Sequence, residues 1–103
     1  MIKIELFKTP TDTQFWADLI ERFIAGRMDS PYEWDDYINL SRTTDLMIKK
    51  VQRICNEISE IYPDPKEYCS PDGTKVLLSL AEALRAGREC TLHFINRYEA
   101  QHS

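Results

Sequence analysis

Residues 13–26 of the chain, TQFWADLIERFIAG, carry its clearest structural signal. Their apolar side chains fall in pairs at a spacing of four residues, which places them on one face of an α-helix. The set is Phe15, Trp16, Leu19, Ile20, Phe23 and Ile24. Turn and cap residues (TPTDT) precede the stripe, and Gly26 follows it in the usual position just past a helix end. This stretch therefore predicts an amphipathic helix that packs against a hydrophobic core.

The residues before this helix, MIKIELF, alternate apolar side chains with Lys3 and Glu5, which is the pattern of a short strand. They lack the uninterrupted apolar stretch and small-residue cleavage site of a secretory signal. No apolar run in the chain approaches the roughly 20 residues that a membrane helix needs. We therefore expect a cytoplasmic protein with no membrane partner.

A second helix start lies at Ser30, where the serine is a cap residue and Pro31 takes the first helical position. Glu33 stands where it would complete a capping box with Ser30. The next apolar residues are Trp34, Tyr37 and Ile38, spaced so that they share one buried face. Much of the acidity of this segment is therefore explained by helix chemistry, because negative charge is favoured in the first turns.

The remaining chain predicts two or three more helices. One begins after a cap at Thr43 or Thr44 and runs to about Tyr62, where Pro63 and Pro65 end it. Its apolar side comprises Leu46, Met47, Val51, Ile54, Cys55, Ile58 and Ile61. Ser70 and Pro71 start another helix that closes at Gly87. Residues 88–100, with Leu92, Ile95 and Tyr98, are expected either to form a last helix or to extend the previous one through Gly87, and we favour a break or kink at that glycine.

The fold predicted from these patterns is all-α. At 103 residues the chain is expected to be a single domain over residues 1–103, arranged as a compact bundle of four or five helices, with or without one short N-terminal strand. The hydrophobic content of 43% and charged content of 29% are those of an ordinary globular protein.

The formal net charge of −4 argues against nucleic acid as a partner, because phosphate binding needs an excess of Lys and Arg. The charge is unevenly distributed, however. Residues 29–36 are acidic, residues 42–53 are basic and residues 57–72 are again acidic, so the folded domain is expected to show separate patches of each sign.

The cysteines give no disulfide framework or metal signature. Cys55, Cys69 and Cys90 are widely spread, so reduced thiols are expected, with Cys55 and Cys90 buried as small hydrophobic side chains. Cys90 and His93, with Cys69 as a distant third ligand, are the best candidates for a metal site. Packing of Cys90 and His93 on one helix face explains them better, and we predict no metal and no cofactor.

An acidic, tyrosine-edged surface is the main functional prediction. Tyrosine and tryptophan dominate binding hot spots, and complementary charge raises association rates. The sequence therefore favours a non-enzymatic domain that binds a basic protein partner. The candidate partner-binding residues are Tyr32, Asp35, Asp36, Glu57, Glu60, Asp64 and Tyr68.

Two alternatives belong to other functional classes. The first is a small helical enzyme or ligand-binding protein that uses a pocket near His93 and Cys69. The second is a homo-oligomeric module in which an apolar helix face near Leu92 and Ile95 pairs with a second copy of the chain.

The segment SPYEWDDY (residues 30–37), followed by IYP (61–63) and YCSPDG (68–73), resembles a group of small uncharacterised bacterial all-α proteins. These carry a similar SP-x-EWDD-aromatic segment and a later YC-x-x-x-G segment, and the resemblance covers about residues 29–84. It implies no catalytic residue. By analogy of size, charge and fold class, it suggests an immunity protein, which binds and neutralises a toxin made by the same cell.

Overall fold

A computed structural model describes the backbone of residues 8–61 and 71–102, and the side chains of residues 8–58 and 73–101. Over these ranges the helices are α1 (Thr13–Ile24), α2 (Glu33–Asp35), α3 (Leu46–Ile61), α4 (Pro71–Ala86) and α5 (Arg88–His102). A π-helical segment, Asp36–Leu40, continues directly from α2. The radius of gyration is 13.4 Å, close to the ~13 Å expected of a compact domain of this length. The predicted all-α bundle is confirmed.

Helix α1 begins and ends as its sequence predicts. The Asp12 carboxylate accepts a 2.9 Å hydrogen bond from the backbone N–H of Gln14 and so caps the first turn. At the other end Gly26 has a φ of +69°, the left-handed conformation that glycine adopts without a Cβ penalty. Its N–H donates to the carbonyl of Phe23, and that of Arg27 donates to the carbonyl of Arg22, which completes a Schellman motif.

Helix α3 begins differently from the prediction. The cap is Asp45, whose Oδ1 accepts from the N–H groups of Met47 and Ile48 at 3.0 and 3.2 Å, rather than Thr43 or Thr44. The Thr43 hydroxyl instead accepts from the N–H of Asp45 at 3.0 Å. Leu46 is thus the first helical residue, and it is 72% exposed instead of lying on the apolar side. Asp45 caps the helix instead of a threonine because one of its carboxylate oxygens accepts from two N–H groups that have no carbonyl partner within the helix.

The predicted break between the last two helices is confirmed. Gly87 has a φ of +115° and separates α4 from α5. The buried side chain of Thr91 spans the break, because its hydroxyl lies 3.1 Å from the carbonyl oxygen of Ala83 and 2.9 Å from that of Gly87. The same two carbonyls also accept backbone N–H groups, that of Ala83 from Gly87 and that of Gly87 from Thr91, so the hydroxyl adds a side-chain contact across the break.

One hydrophobic core joins the helices. α1 packs against α4, α4 against α5, and α3 against α5 and the π-helical segment. The larger fully buried side chains are Trp16, Leu19, Ile20, Met47, Ile48, Ile54, Leu77, Leu80, Leu84 and Ile95. The Trp16 indole N–H donates to the carbonyl of Pro10 at 2.8 Å, so this large side chain is buried without leaving its polar group unpaired.

The strand predicted in residues 2–6 lies outside the described residues. Just after it, Lys8 forms an isolated parallel bridge with Arg42, and the N–H of Thr9 donates to the Arg42 carbonyl at 3.0 Å. This bridge brings two distant parts of the chain together beside the start of α3. Within the described ranges, no helix has both the length and the apolar character needed to cross a membrane.

Candidate functional site

The acidic segment that includes α2 is anchored to α1 by aromatic stacking. The rings of Trp34 and Phe23 lie parallel, with centroids 3.8 Å apart and planes at 12°. Trp34 is buried, as its spacing with Tyr37 and Ile38 predicted, and Ile38 is buried beside it. The segment is therefore a structured element whose backbone is held against the core.

Glu33 has a structural contact that the sequence did not reveal. Its carboxylate accepts a 2.8 Å hydrogen bond from Arg22 of α1 and another of 2.8 Å from the N–H of Asp29. The hydrogen bond from the Arg22 guanidinium, more than any other contact, lowers the pKa of Glu33 below its ordinary value. Glu33 therefore stays ionised and joins the acidic segment to α1.

The predicted capping box is consequently wrong in its partner and its position. The Glu33 carboxylate accepts a hydrogen bond from the N–H of Asp29 and not from that of Ser30. In addition, α2 begins at Glu33 rather than at Pro31. The Ser30 hydroxyl accepts from the N–H of Tyr32 at 3.0 Å, which forms a local serine turn. The Arg22 guanidinium supplies the physical reason, because it holds the Glu33 carboxylate toward α1.

The π-helical segment arises from a contact with α3. The Ser41 N–H donates to the carbonyl of Asp36, five residues back, and not, as it would in an α-helix, to the Tyr37 carbonyl, four residues back. The Gln52 side-chain amide donates to that carbonyl at 2.8 Å and to the Ser41 hydroxyl at 2.8 Å. The same carbonyl also accepts from the Ser41 hydroxyl. Gln52 of α3 thus stabilises this irregular helix through its side chain.

An exposed ridge results along α2 and the π-helical segment. Tyr32 is 69% exposed, and Asp36 lies one helical turn later, since its N–H donates to the Tyr32 carbonyl at 2.9 Å. Leu40, about one turn further on, is 41% exposed, Asp35 is exposed, and Asp36 beside it is half-buried. We call Tyr32, Asp35, Asp36 and Leu40 the acidic ridge. It combines two carboxylates with an aromatic and an aliphatic side chain.

The structure brings together three of the seven predicted partner-binding residues, Tyr32, Asp35 and Asp36. Glu57 has contacts elsewhere, because it accepts a 3.0 Å hydrogen bond from the Tyr98 hydroxyl and lies 3.6 Å from Arg53. The Glu60 side chain, Asp64 and Tyr68 lie outside the described residues. The sequence analysis did not single out Leu40, because Leu40 is not part of the apolar set of Trp34, Tyr37 and Ile38.

The alternative site near His93 has little support in the described residues. Cys90 is exposed, so the prediction that it is buried is wrong, and His93 is also exposed. Cys55 is buried as predicted, and burial raises the pKa of its thiol far above the ordinary value. Within the described ranges no three His, Cys, Asp or Glu side chains are grouped to hold a metal ion. Cys69 lies outside those ranges.

A small cavity of about 280 Å³ does lie between α4 and α5, lined in part by Val76, Phe94 and Tyr98. His93 is not part of its lining.

The apolar face proposed for homo-oligomers is largely used within the chain, because Ile95 is fully buried in the core. Leu92, at 39% exposure, remains partly open on that face.

Comparison of the chain with models of protein families, with curated proteins and with solved structures gives no significant match.

Proposed function

We propose that the chain is a small cytoplasmic, non-enzymatic domain of the immunity or antitoxin type, which binds a basic protein partner through the acidic ridge. The observation that carries this proposal is the 69% exposure of Tyr32 beside Asp35 and Asp36, on a segment anchored by buried Trp34. An exposed aromatic side chain on a rigid base loses little conformational entropy when it binds, which is why tyrosine is frequent in binding hot spots.

The charges of the ridge favour a basic partner. Glu33 is already paired with Arg22, and Asp29 lies 3.6 Å from the same guanidinium. Asp35 and Asp36 have no ion-pair partner among the described residues. Their charges are therefore open to a partner's Lys or Arg, while Tyr32 and Leu40 offer apolar contact area at the two ends.

The first experiment is affinity capture from a bacterial extract at about 0.05 M and about 0.5 M salt, across which the screening length falls from roughly 14 to 4 Å. The bait is the intact chain, and the retained proteins are identified by mass spectrometry. We expect a basic protein to be retained at low salt and to be largely lost at high salt.

Two variants test the ridge directly. Asp35→Asn/Asp36→Asn removes both carboxylates, and Glu82→Gln/Glu89→Gln is the matched control, because it removes two exposed carboxylates from α4 and α5. With the purified partner, we expect the first variant to slow association about tenfold, since charges act mainly on encounter, and the control to leave it unchanged. We expect Tyr32→Ala to act mainly on dissociation.

Equal retention by the wild-type chain and the Asp35→Asn/Asp36→Asn variant would show that the ridge is not the recognition element. If the control variant weakened partner binding equally, overall charge would explain the effect, and the proposed site would be wrong. Circular dichroism of each variant separates lost binding from lost folding.

A further inference from the structure

An open groove of about 800 Å³ lies on a part of the molecule that the proposed function does not use. It forms where residues 8–11 meet the loop before α3, and the bridge between Lys8 and Arg42 holds these two segments together. Lys49 also lines the groove, and it lies in the first turn of α3, where its N–H donates to the carbonyl of Asp45. The groove therefore combines residues that are far apart in sequence.

The groove is positively charged. Lys8, Arg42 and Lys49 are all exposed in it, and none has an ion-pair partner among the described residues. The acidic residue in the lining, Asp45, is already neutralised. Its two carboxylate oxygens lie 3.0 and 3.1 Å from the guanidinium nitrogens of Arg88, and one of them also caps α3. Among the described residues, the three cationic charges of Lys8, Arg42 and Lys49 are therefore not compensated.

The other basic side chains of residues 42–53, in contrast, have ion-pair partners. Lys50 lies 3.0 Å from Glu99, and Arg53 lies 3.6 Å from Glu57 and 3.9 Å from Glu99. The fold thus divides the basic run of residues 42–53 into two parts. One part is paired with acidic side chains of α3 and α5, and the other faces the groove with its charge available to a ligand.

Thr9 provides an independent observation. Thr9 is one of the residues that line the groove, it is 2% exposed, and its hydroxyl oxygen has no hydrogen-bond partner among the described residues. A buried hydroxyl without a partner is unfavourable, so such a group usually has a reason in function or in a bound molecule. A ligand oxygen within the groove would satisfy it.

We infer that this groove binds a small ligand that bears a phosphate group. A phosphate dianion matches several cations, and its oxygens accept from arginine in a fork geometry and from hydroxyls. The lining supplies both kinds of donor, since the hydroxyl-bearing residues Thr9, Thr11, Thr43 and Thr44 line the groove together with the three cations. The volume falls in the range of about 300–1,000 Å³ that is typical of small-ligand sites.

The lining also points to the part of the ligand that is recognised. Its described residues are basic, hydroxyl-bearing, acidic or amide side chains, with no aromatic ring among them. A stacking platform for nucleobases is therefore missing from this lining, and recognition rests on the phosphate group. Inorganic phosphate and phosphate monoesters share that chemistry.

The test measures binding to the intact chain by calorimetry and by thermal unfolding. The probes are inorganic phosphate, pyrophosphate, adenosine monophosphate and glucose 6-phosphate, compared with acetate at equal ionic strength. We expect a Kd of about 1 mM or tighter for at least one phosphate compound. At about ten times that Kd, the melting temperature should rise by about 5 °C or more, and acetate should give no such rise. Tighter binding of a monoester than of phosphate identifies the source as an ester, and equal binding identifies the free ion.

Arg42→Gln/Lys49→Gln should weaken binding by at least about tenfold, because each lost contact is a hydrogen bond to a charged group. The matched control is Arg27→Gln/Lys75→Gln, which removes two exposed cations outside the groove and should leave the Kd unchanged. Thr9→Val separates binding from folding. It should raise the melting temperature of the free chain, because it removes an unpaired hydroxyl, and yet weaken phosphate binding several-fold.

The inference is wrong if no phosphate compound binds more tightly than acetate. It is also wrong if the two double variants weaken binding equally, because the effect would then be one of overall charge. Failure here leaves the proposed function untouched, since the groove and the acidic ridge share no residue and the ridge variants are expected to keep phosphate binding.

Discussion

The Arg22 guanidinium and the Glu33 carboxylate lie 2.8 Å apart, and this contact ties α1 to the start of α2. The Glu33 side chain is only 15% exposed, so the pair is shielded from solvent more than a typical surface ion pair. The ion pair fixes the position of the segment that carries Tyr32, Asp35 and Asp36.

Glu33→Gln should reduce the free energy of unfolding by about 1–2 kcal/mol at pH 7, because it weakens a charge-assisted hydrogen bond. The pKa of Glu33 is lowered on folding, so its stabilisation is present above the ordinary value of 4.5 and is lost as the pH falls through the lower folded value. Urea unfolding should therefore show that the free energy of unfolding falls less between pH 7 and pH 3 in Glu33→Gln than in the wild-type chain. Glu82→Gln, at an exposed position, is the control, and a change equal to that of Glu33→Gln would contradict this account.

Gln52→Ala should destabilise the protein by about 1–2 kcal/mol, because the Tyr37 carbonyl and the Ser41 hydroxyl each lose a hydrogen bond. Gln101→Ala, at an exposed position of α5, should change the free energy of unfolding by less than about 0.5 kcal/mol. Hydrogen exchange should place the Gln52→Ala effect in residues 36–41. A uniform effect across the chain would argue against a local role for Gln52.

Trp34 and Tyr32 should differ sharply despite being two residues apart. Trp34→Ala should cost about 3–5 kcal/mol of stability, because it removes a buried ring that stacks on Phe23. Tyr32→Ala should cost less than about 0.5 kcal/mol, since its side chain is exposed. Guanidinium unfolding measures both, with Trp34→Phe as a milder variant if Trp34→Ala does not fold. A large loss for Tyr32→Ala would mean that this tyrosine is structural.

Tyr98 should titrate well above the ordinary tyrosine pKa of 10.0. Burial, together with a hydrogen bond to Glu57, raises the pKa of Tyr98 to about 12. Because the folded state favours the protonated form, this stabilisation is complete below pH 10 and is lost as the pH rises toward 12. Ultraviolet titration of the wild-type chain and Tyr98→Phe should differ by one tyrosine ionising near pH 12. A difference near pH 10 would contradict the hydrogen bond.

The two described cysteines should react at very different rates. Cys90 is exposed, whereas Cys55 is buried and its thiol pKa is raised by that burial. In a Cys69→Ser background, a thiol reagent should modify Cys90 within minutes and Cys55 only on unfolding. Cys90→Ser in the same background should abolish the fast phase. Persistence of that phase would place Cys55 at the surface.

Local sequence was sufficient for the helices whose signals act within one turn. The stripe of α1 with Gly26 behind it, and the break at Gly87, were predictable because capping and positive φ depend on a few adjacent residues. The burial of Trp34 followed from its spacing with Tyr37 and Ile38. The all-α class follows from these patterns.

Tertiary structure alone decided which polar groups remain available. Arg22, eleven residues before Glu33, redirected the expected capping box, and Tyr98, forty-one residues after Glu57, removed that carboxylate from the acidic surface. The groove depends on the pairing of Lys8 with Arg42. Hydrophobic periodicity carries information about burial on one helix, but hydrogen bonds and ion pairs between helices depend on how those helices pack. Which charges are neutralised and which stay open is therefore set by the packed bundle.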